Sequence, residues 1–250
     1  MSADDLSIEE TYELDLLQGS LSKWRSSLGL RKVYGAIYER MRQFAEEGSW
    51  LEVGSGIGVA SEFLPRVVKS DIAETGHVDR VVDAYAIPQE NWDAIFGLDV
   101  FHHLRQPRRF LDSAAEALKP GGRLILAEPA ATPLGCIFYG LCHHEPMRKE
   151  LVQPPYEFPL EADGSFANMA MATVLLAGEV DEVEAVIGPR WRRVECVHSD
   201  LLAYPFSGGF SRPQMLPTFL IAGLIAVEKK LPQWLMKRLG LRVTIVLERV

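Results

Sequence analysis

From Trp50 onward the chain sorts its hydrophobic residues into short apolar runs separated by stretches of helical spacing or of glycine and polar residues. Trp50-Leu51-Glu52-Val53 is short, apolar and closed by glycine, which suits a central strand of a parallel sheet. Val67-Val68-Lys69-Ser70-Asp71, Val78 to Ala84, Trp92 to Leu98 and Arg123 to Pro129 predict the second to fifth strands. Between them, Ile57 to Leu64 predicts a helix stopped at Pro65. A second helix starts at Pro107, whose missing N–H is harmless in a first turn, and carries the stripe Phe110, Leu111, Ala114, Ala115 and Leu118. Lys119-Pro120-Gly121-Gly122 ends it.

The flanks follow other rhythms. Leu21, Trp24, Leu28, Val33, Ile37, Tyr38 and Met41 predict one or two helices broken near Gly29, after an acidic lead in residues 1–20. Residues 131–190 form an insertion too long for a plain connection, rich in proline and aromatic residues at first and helical from Phe166 to Ile187. Loops on the carboxyl side of a parallel sheet recognise substrate, so this segment reads as a substrate lid. Trp191 to His198 alternates as a sixth strand and Val243 to Leu247 as a seventh. Between them, Met215 to Val227 is apolar almost all round, the mark of a buried helix, and Lys229 to Arg238 is basic and amphipathic. Together the two could also rest on a membrane surface.

After the first strand, Gly54, Gly56 and Gly58 recur at every second position, where a backbone that approaches a ligand has no room for a Cβ. A dinucleotide fingerprint would place its third glycine at Val59, so a nicotinamide-dependent oxidoreductase is disfavoured. Glu52, two residues before the loop, would repel a pyrophosphate and receive a cation. Asp71 ends the second strand nineteen residues after Glu52, where a carboxylate lies beside a ribose.

An acid two before G-x-G-x-G, the acids Asp71 and Asp83, "FHHL" after the fourth strand and "LKPGG" before the fifth resemble, in order and spacing, the class I S-adenosylmethionine-dependent methyltransferases. The match covers residues 49–130. The resemblance implies an α/β, Rossmann-like doubly wound sheet of seven strands, mostly parallel, with an antiparallel C-terminal edge and N-terminal helices. It divides the chain into an N-terminal helical cap (1–48), a cofactor-binding core (49–130), the lid (131–190) and the completion of the sheet (191–250). It further implies S-adenosyl-L-methionine as cofactor, held by Glu52, Gly54, Ser55, Gly56, Gly58, Asp71, Ile72, Asp83, Ala84 and Leu98. Asp83 would receive the adenine amino group, although a strand-end aspartate is also a plain cap. In such enzymes N-terminal helices often cover the cofactor or the substrate; a packing role stands beside that one.

Methyl transfer needs chiefly alignment, and a base only where the nucleophile starts protonated. Histidine suits a hydroxyl nucleophile, and His102, His103, His143 and His144 are the candidates for base or substrate contact. His198 is a further candidate, with a strand-end role as its alternative. Cys142-His143-His144-Glu145 lacks known metal-ligand spacing, and adjacent residues generally diverge, so no metal is expected. Gln153-Pro154-Pro155-Tyr156 reads as a proline turn. A net charge of −8 and a pI near 5.3 argue against nucleic acid. Three cysteines without C-x-x-C spacing and an N-terminus without an apolar signal segment fit a reduced cytoplasm. The sequence thus predicts a cytoplasmic O-methyltransferase of a small molecule or a glycan. The alternative is a non-catalytic module of the same fold, bound to a partner or a membrane through 215–238.

Overall fold

The computed structural model describes residues 8–159 and 166–250. Strands β1 (Trp50–Val53), β2 (Val67–Asp71), β3 (Arg80–Val81), β4 (Trp92–Leu98), β5 (Leu118–Pro129), β6 (Trp191–Ser199) and β7 (Arg242–Arg249) make one seven-stranded sheet in the order β3-β2-β1-β4-β5-β7-β6. The first five are parallel, and β7 runs antiparallel between β5 and β6. Strand order reverses at β1, between β2 and β4, and such a switch point opens a crevice at the carboxyl ends of the strands.

Nine helices flank the sheet among the described residues: α1 (Ile8–Ser26), α2 (Leu28–Arg42), α3 (Pro107–Ala117), α4 (Pro133–Cys142), α5 (Met171–Leu176), α6 (Val180–Ile187), α7 (Ala203–Ser207), α8 (Thr218–Glu228) and α9 (Gln233–Leu239). The period of two along each strand divides the core. Leu51, Val53, Ile95, Leu124, Leu126, Val243 and Ile245 pack with Phe110, Leu111, Leu175 and Val183 of α3, α5 and α6. Trp50, Ala94, Phe96, Ile125, Ala127 and Val246 pack on the other face with Leu30, Val33, Ile37 and Met41 of α2. By the same alternation Glu52 shares a face with Trp50, and Arg242 and Thr244 share one with Val246, so these polar residues meet α2 and its neighbours.

Several elements depart from the sequence reading. The helix expected over Ile57 to Leu64 is one 3-10 turn, Val59–Glu62, because Gly58 enters it left-handed at φ 70° and Pro65 closes it at once. The third strand shrinks to Arg80–Val81, since Asp83 accepts from the Tyr85 amide and turns the chain out of the sheet. Strand β5 begins at Leu118, and the Lys119-Pro120-Gly121-Gly122 turn is a bulge within it. The helix break falls at Ser27, which caps α2 by accepting from Leu30 N–H, rather than at Gly29. Residues 1–7 of the acidic lead lie outside the described residues, and from Ile8 the lead is helical. Within 131–190, Met171–Leu176 and Val180–Ile187 pack in the core beside the sheet, as do Val152 and Phe158, while Tyr139, His143, Glu145 and Met169 line the cavity at the strand ends. Helix α8 is not buried: it lies outside α2 and α7, only Ile221 is enclosed, and Phe219, Leu220 and Val227 face outward.

Candidate active site

Two groups of side chains meet at the carboxyl ends of β1, β2, β4 and β5. The first surrounds the glycine turn. Ser55 fastens it to β2, donating its N–H to the Ser70 carbonyl at 2.9 Å and accepting at Oγ from Ser70 N–H. Asp71 accepts from Gly56 N–H at 2.8 Å, so one of its oxygens braces the turn from beside the crevice. A Cβ on Gly54 or Gly58 would strike Val100 or the His77 carbonyl, whereas Gly56, at φ 50°, has no atom within 4 Å of that position and opens to space. Of the three, Gly56 is the one that leaves room for a ligand to come close to the backbone, although its N–H is already given to Asp71.

Glu52 is buried behind this turn. Tyr38 of α2 donates to its Oε1 at 2.7 Å, while Oε2 has no partner. Burial raises its carboxyl to about 7, against the lowering pull of the nearby Ser55 hydroxyl and of the hydrogen bond from Tyr38. An unsatisfied buried acceptor is costly, and a cationic ligand would satisfy it. Asp83 is exposed, Ala84 is half-buried, Leu98 is buried at the end of β4, and Ile72 is 71% exposed, an apolar side chain presented beside Asp71. An open glycine, an orphaned carboxylate oxygen and an uncovered isoleucine fit a cationic nucleoside such as S-adenosylmethionine.

The second group lies beyond Leu98. Asp99 turns the chain out of β4 at φ 55°, a conformation that aspartate tolerates better than most residues and that marks stored strain. Both terminal nitrogens of Arg242 donate to its carboxylate, at 2.5 and 2.7 Å, and Tyr34 of α2 donates at 3.2 Å. Burial alone would raise the Asp99 carboxyl, but the Arg242 guanidinium overrides it and holds the group below its usual range. That guanidinium lies over the rings of Tyr34 and Tyr204, 5.7 and 4.9 Å from their centroids.

Glu128, at the inner end of β5, organises the next turn. Its Oε1 accepts from Val100 and Phe101 N–H at 2.9 and 2.8 Å, and its Oε2 lies 2.6 Å from His102 Nδ1. On the other side, His102 Nε2 is 3.2 Å from Glu145. Burial disfavours the imidazolium, but Glu128 and then Glu145 outweigh it and raise His102 to about 10. So placed, His102 has no lone pair free to accept a proton at neutral pH. Glu145 is drawn the other way, to about 2, with His102 overcoming its burial. Burial and then the His102 charge keep His103 below its ordinary value, hence neutral.

Glu145 stands at the centre of all four histidines expected to matter, for His103, His143 and His144 nitrogens come within 3.8, 3.9 and 3.8 Å of it. Adjacent residues converge here because His143 and His144 leave the end of α4 with stacked rings, 4.8 Å apart at 15°, and the chain then turns back at Glu145. His144 is 82% exposed and touches the rim only. His198 lies elsewhere, beside Arg40 and Gln233, and its burial lowers it to about 4. Asp99, His102, His103, His143, Glu145 and Arg242 line a cavity of about 130 Å³.

Tyr34, Tyr38, Asp99, Glu128, Tyr204 and Arg242 were not singled out by the sequence reading. The signal for one of them was present: Glu128 is an ionisable residue inside the apolar run Leu124 to Pro129, whereas Arg242 stands one residue before the run Val243 to Leu247. Tyr34 and Tyr38, one helical turn apart, give none without knowledge of what α2 faces. Replacing Arg242 with methionine strands the Asp99 charge and should cost about 3 kcal/mol. The pair Asp99→Asn and Arg242→Met should recover part of that loss, as read from urea midpoints; additive losses would show that the two residues are not coupled.

A family profile described as a methyltransferase domain matches residues 29–170. Among curated proteins no sequence matches. Solved structures with this fold include a Thermotoga maritima S-adenosylmethionine-dependent methyltransferase, described as a possible histamine N-methyltransferase, at 14% identity and TM-score 0.51, covering 89% of this chain and 92% of that one. Another, from Archaeoglobus fulgidus, shares 15% identity at TM-score 0.49, over 88% and 94% of the two chains. A third, from Mesorhizobium loti, shares 14% at TM-score 0.48, over 86% and 98%. At 14% identity the likeness to the Thermotoga maritima protein speaks for the fold alone. The profile spans more than half of the chain, which therefore belongs to the class I S-adenosylmethionine-dependent methyltransferases and takes S-adenosylmethionine as its cofactor.

Proposed function

We propose that the protein transfers the methyl group to a hydroxyl oxygen of a small molecule or a glycan. The observation that carries this reading is the set of hydrogen-bond acceptors on the cavity wall beyond Leu98: the carboxylates of Asp99 and Glu145 and the Nε2 of His103. A hydroxyl entering the cavity donates to one of these, which orients its oxygen lone pairs away from the wall. S-adenosylmethionine supplies a methyl group already activated by the sulfonium, so the protein's task is alignment. His103 and Glu145 are the residues placed to take the hydroxyl's proton and hold the oxygen. Three unpaired cysteines favour a reducing compartment, and we place the reaction in the cytoplasm.

Helix α8 favours a second reading, of where the acceptor sits. Phe219 and Trp234 are 73% and 64% exposed, and Lys230, Lys237 and Arg238 are exposed in the same stretch of an otherwise acidic chain. Exposed aromatic and basic side chains close in sequence suit an anionic lipid interface, which would bring the enzyme to a lipid-linked acceptor. The protein should sediment with anionic liposomes at low salt, and Phe219→Glu with Trp234→Glu should abolish this. Equal sedimentation with neutral liposomes would count against the basic patch.

Two further outcomes test the reaction itself. Because burial raises the Glu52 carboxyl to about 7, it is largely protonated below that pH, and a cationic ligand favours its ionised form. Cofactor binding should therefore release a proton and tighten as pH rises from about 6 to about 8. Titration calorimetry in buffers of different ionisation enthalpy reads this, and Glu52→Gln should remove both effects. Once an acceptor is found, His103→Ala and Glu145→Gln should each lower turnover roughly 10²-fold while S-adenosylmethionine affinity stays the same. Full turnover in both variants would remove them from the reaction.

A further inference from the structure

The orientation of the histidines around Glu145 is set from behind. His102 Nδ1 is committed to the buried Glu128 carboxylate at 2.6 Å, and His103 Nδ1 lies 3.2 Å from the Phe166 carbonyl, which can only accept. Each ring therefore presents Nε2 to the cavity, and both Nε2 atoms point at the same carboxylate, at 3.2 and 3.8 Å. A carboxylate or carbonyl behind each imidazole is the arrangement that fixes the tautomer and the direction of a metal-binding histidine. Ligands of one ion with bonds of about 2.1 Å sit roughly 3.0–3.4 Å apart, so His102 Nε2 and Glu145 already stand at ligand spacing and His103 would have to move closer.

We infer that His102, His103 and Glu145 form a binding site for a divalent transition-metal ion on the wall of the acceptor cavity. The three donor atoms lie within 4.8 Å of one another, and two imidazoles with one carboxylate are a donor set that leaves coordination positions open. Charge supports it: Arg242 is committed to Asp99, while the carboxylates of Glu128 and Glu145 flank His102 with no lysine or arginine paired to them among the described residues. His143 stays outside the set because its Nδ1 already accepts from Glu145 N–H at 3.3 Å. His103 and Glu145 keep some exposure, which gives an ion a way in. Binding displaces the proton that His102 otherwise holds, as ligation by imidazole does in general. The site rests on the reading of this cavity as the acceptor pocket; with an ion bound, His103 and Glu145 would act through it as ligands rather than take the proton themselves, and the ion would make a hydroxyl in its open positions more acidic.

The test is a titration of tag-free, metal-stripped protein with Co2+, followed by its visible ligand-field absorption and by competition with Zn2+, without cofactor or acceptor. One equivalent should bind with a visible band, and His103→Ala and Glu145→Gln should each weaken binding at least about tenfold. His144→Ala should leave it intact. Glu128→Gln, which keeps an oxygen for the Val100 and Phe101 amides, should weaken it about 10–100-fold with the circular dichroism spectrum unchanged. Absence of binding to the intact protein would overturn the site, as would loss in His144→Ala with retention in His103→Ala. Either result leaves methyl transfer standing, because S-adenosylmethionine binding is measured separately and fails for different reasons.

Discussion

The pleat of the sheet decides where every ionisable residue of the site can act. Side chains alternate between faces, so an acid or a base inside an apolar strand has one face open to it and no freedom to choose the other. Glu52 falls on the face of α2 and meets Tyr38; Arg242 falls on that face too and meets Tyr34. Glu128 lies on the opposite face, with Leu124 and Leu126, and there meets the turn that carries His102. A slip of one residue in β1, β5 or β7 would exchange these faces and separate each group from its partner. The packing of apolar residues on both faces holds that register, and so the hydrophobic core indirectly fixes the polar geometry at the strand ends.

Charge in the cavity beyond Leu98 is arranged in linked pairs. Asp99 is matched to Arg242, and His102 is held between Glu128 and Glu145, with the tyrosines of α2 and α7 enclosing the first pair. Ionised groups in a site of low polarity interact strongly with anything that enters, and they are stable there only while their partners stay in place. The strained backbone of Asp99 belongs to the same design, since a residue kept in the left-handed region needs surrounding contacts to hold it. Helix α2 serves both halves of the crevice: Tyr38 reaches the group behind the glycine turn and Tyr34, one helical turn earlier, reaches Asp99.

The sheet was legible in the sequence because its signals are local. Trp50 to Val53 and Val67 to Asp71 have the bounds that their apolar runs predict, and the antiparallel seventh strand follows from the family resemblance. The glycine turn was legible as a motif, in glycines and acids at fixed spacing. The cavity beyond Leu98 was not, since its members come from α2, the ends of β4 and β5, the turn after α4 and the start of β7, and no periodicity links them. The argument that neighbouring residues diverge holds on a helix or strand; His143, His144 and Glu145 escape it because they sit just past the end of α4. Hydrophobicity misplaced α8 for a related reason, as an apolar sequence states what a helix can bury but not whether the fold covers it.

The short turn after Gly58 has a consequence for ligand choice. In most nucleotide folds a full helix begins at the glycine loop and directs the positive end of its macrodipole, about half an elementary charge, at a phosphate. Here Val59–Glu62 makes a single 3-10 turn, too short to sum many peptide dipoles, and it ends on an acid. The crevice therefore lacks the field that would attract an anion, and behind it lies Glu52 with an oxygen unsatisfied. By shortening one helix, the chain turns a phosphate-binding scaffold into one whose electrostatics discriminate in favour of a cation.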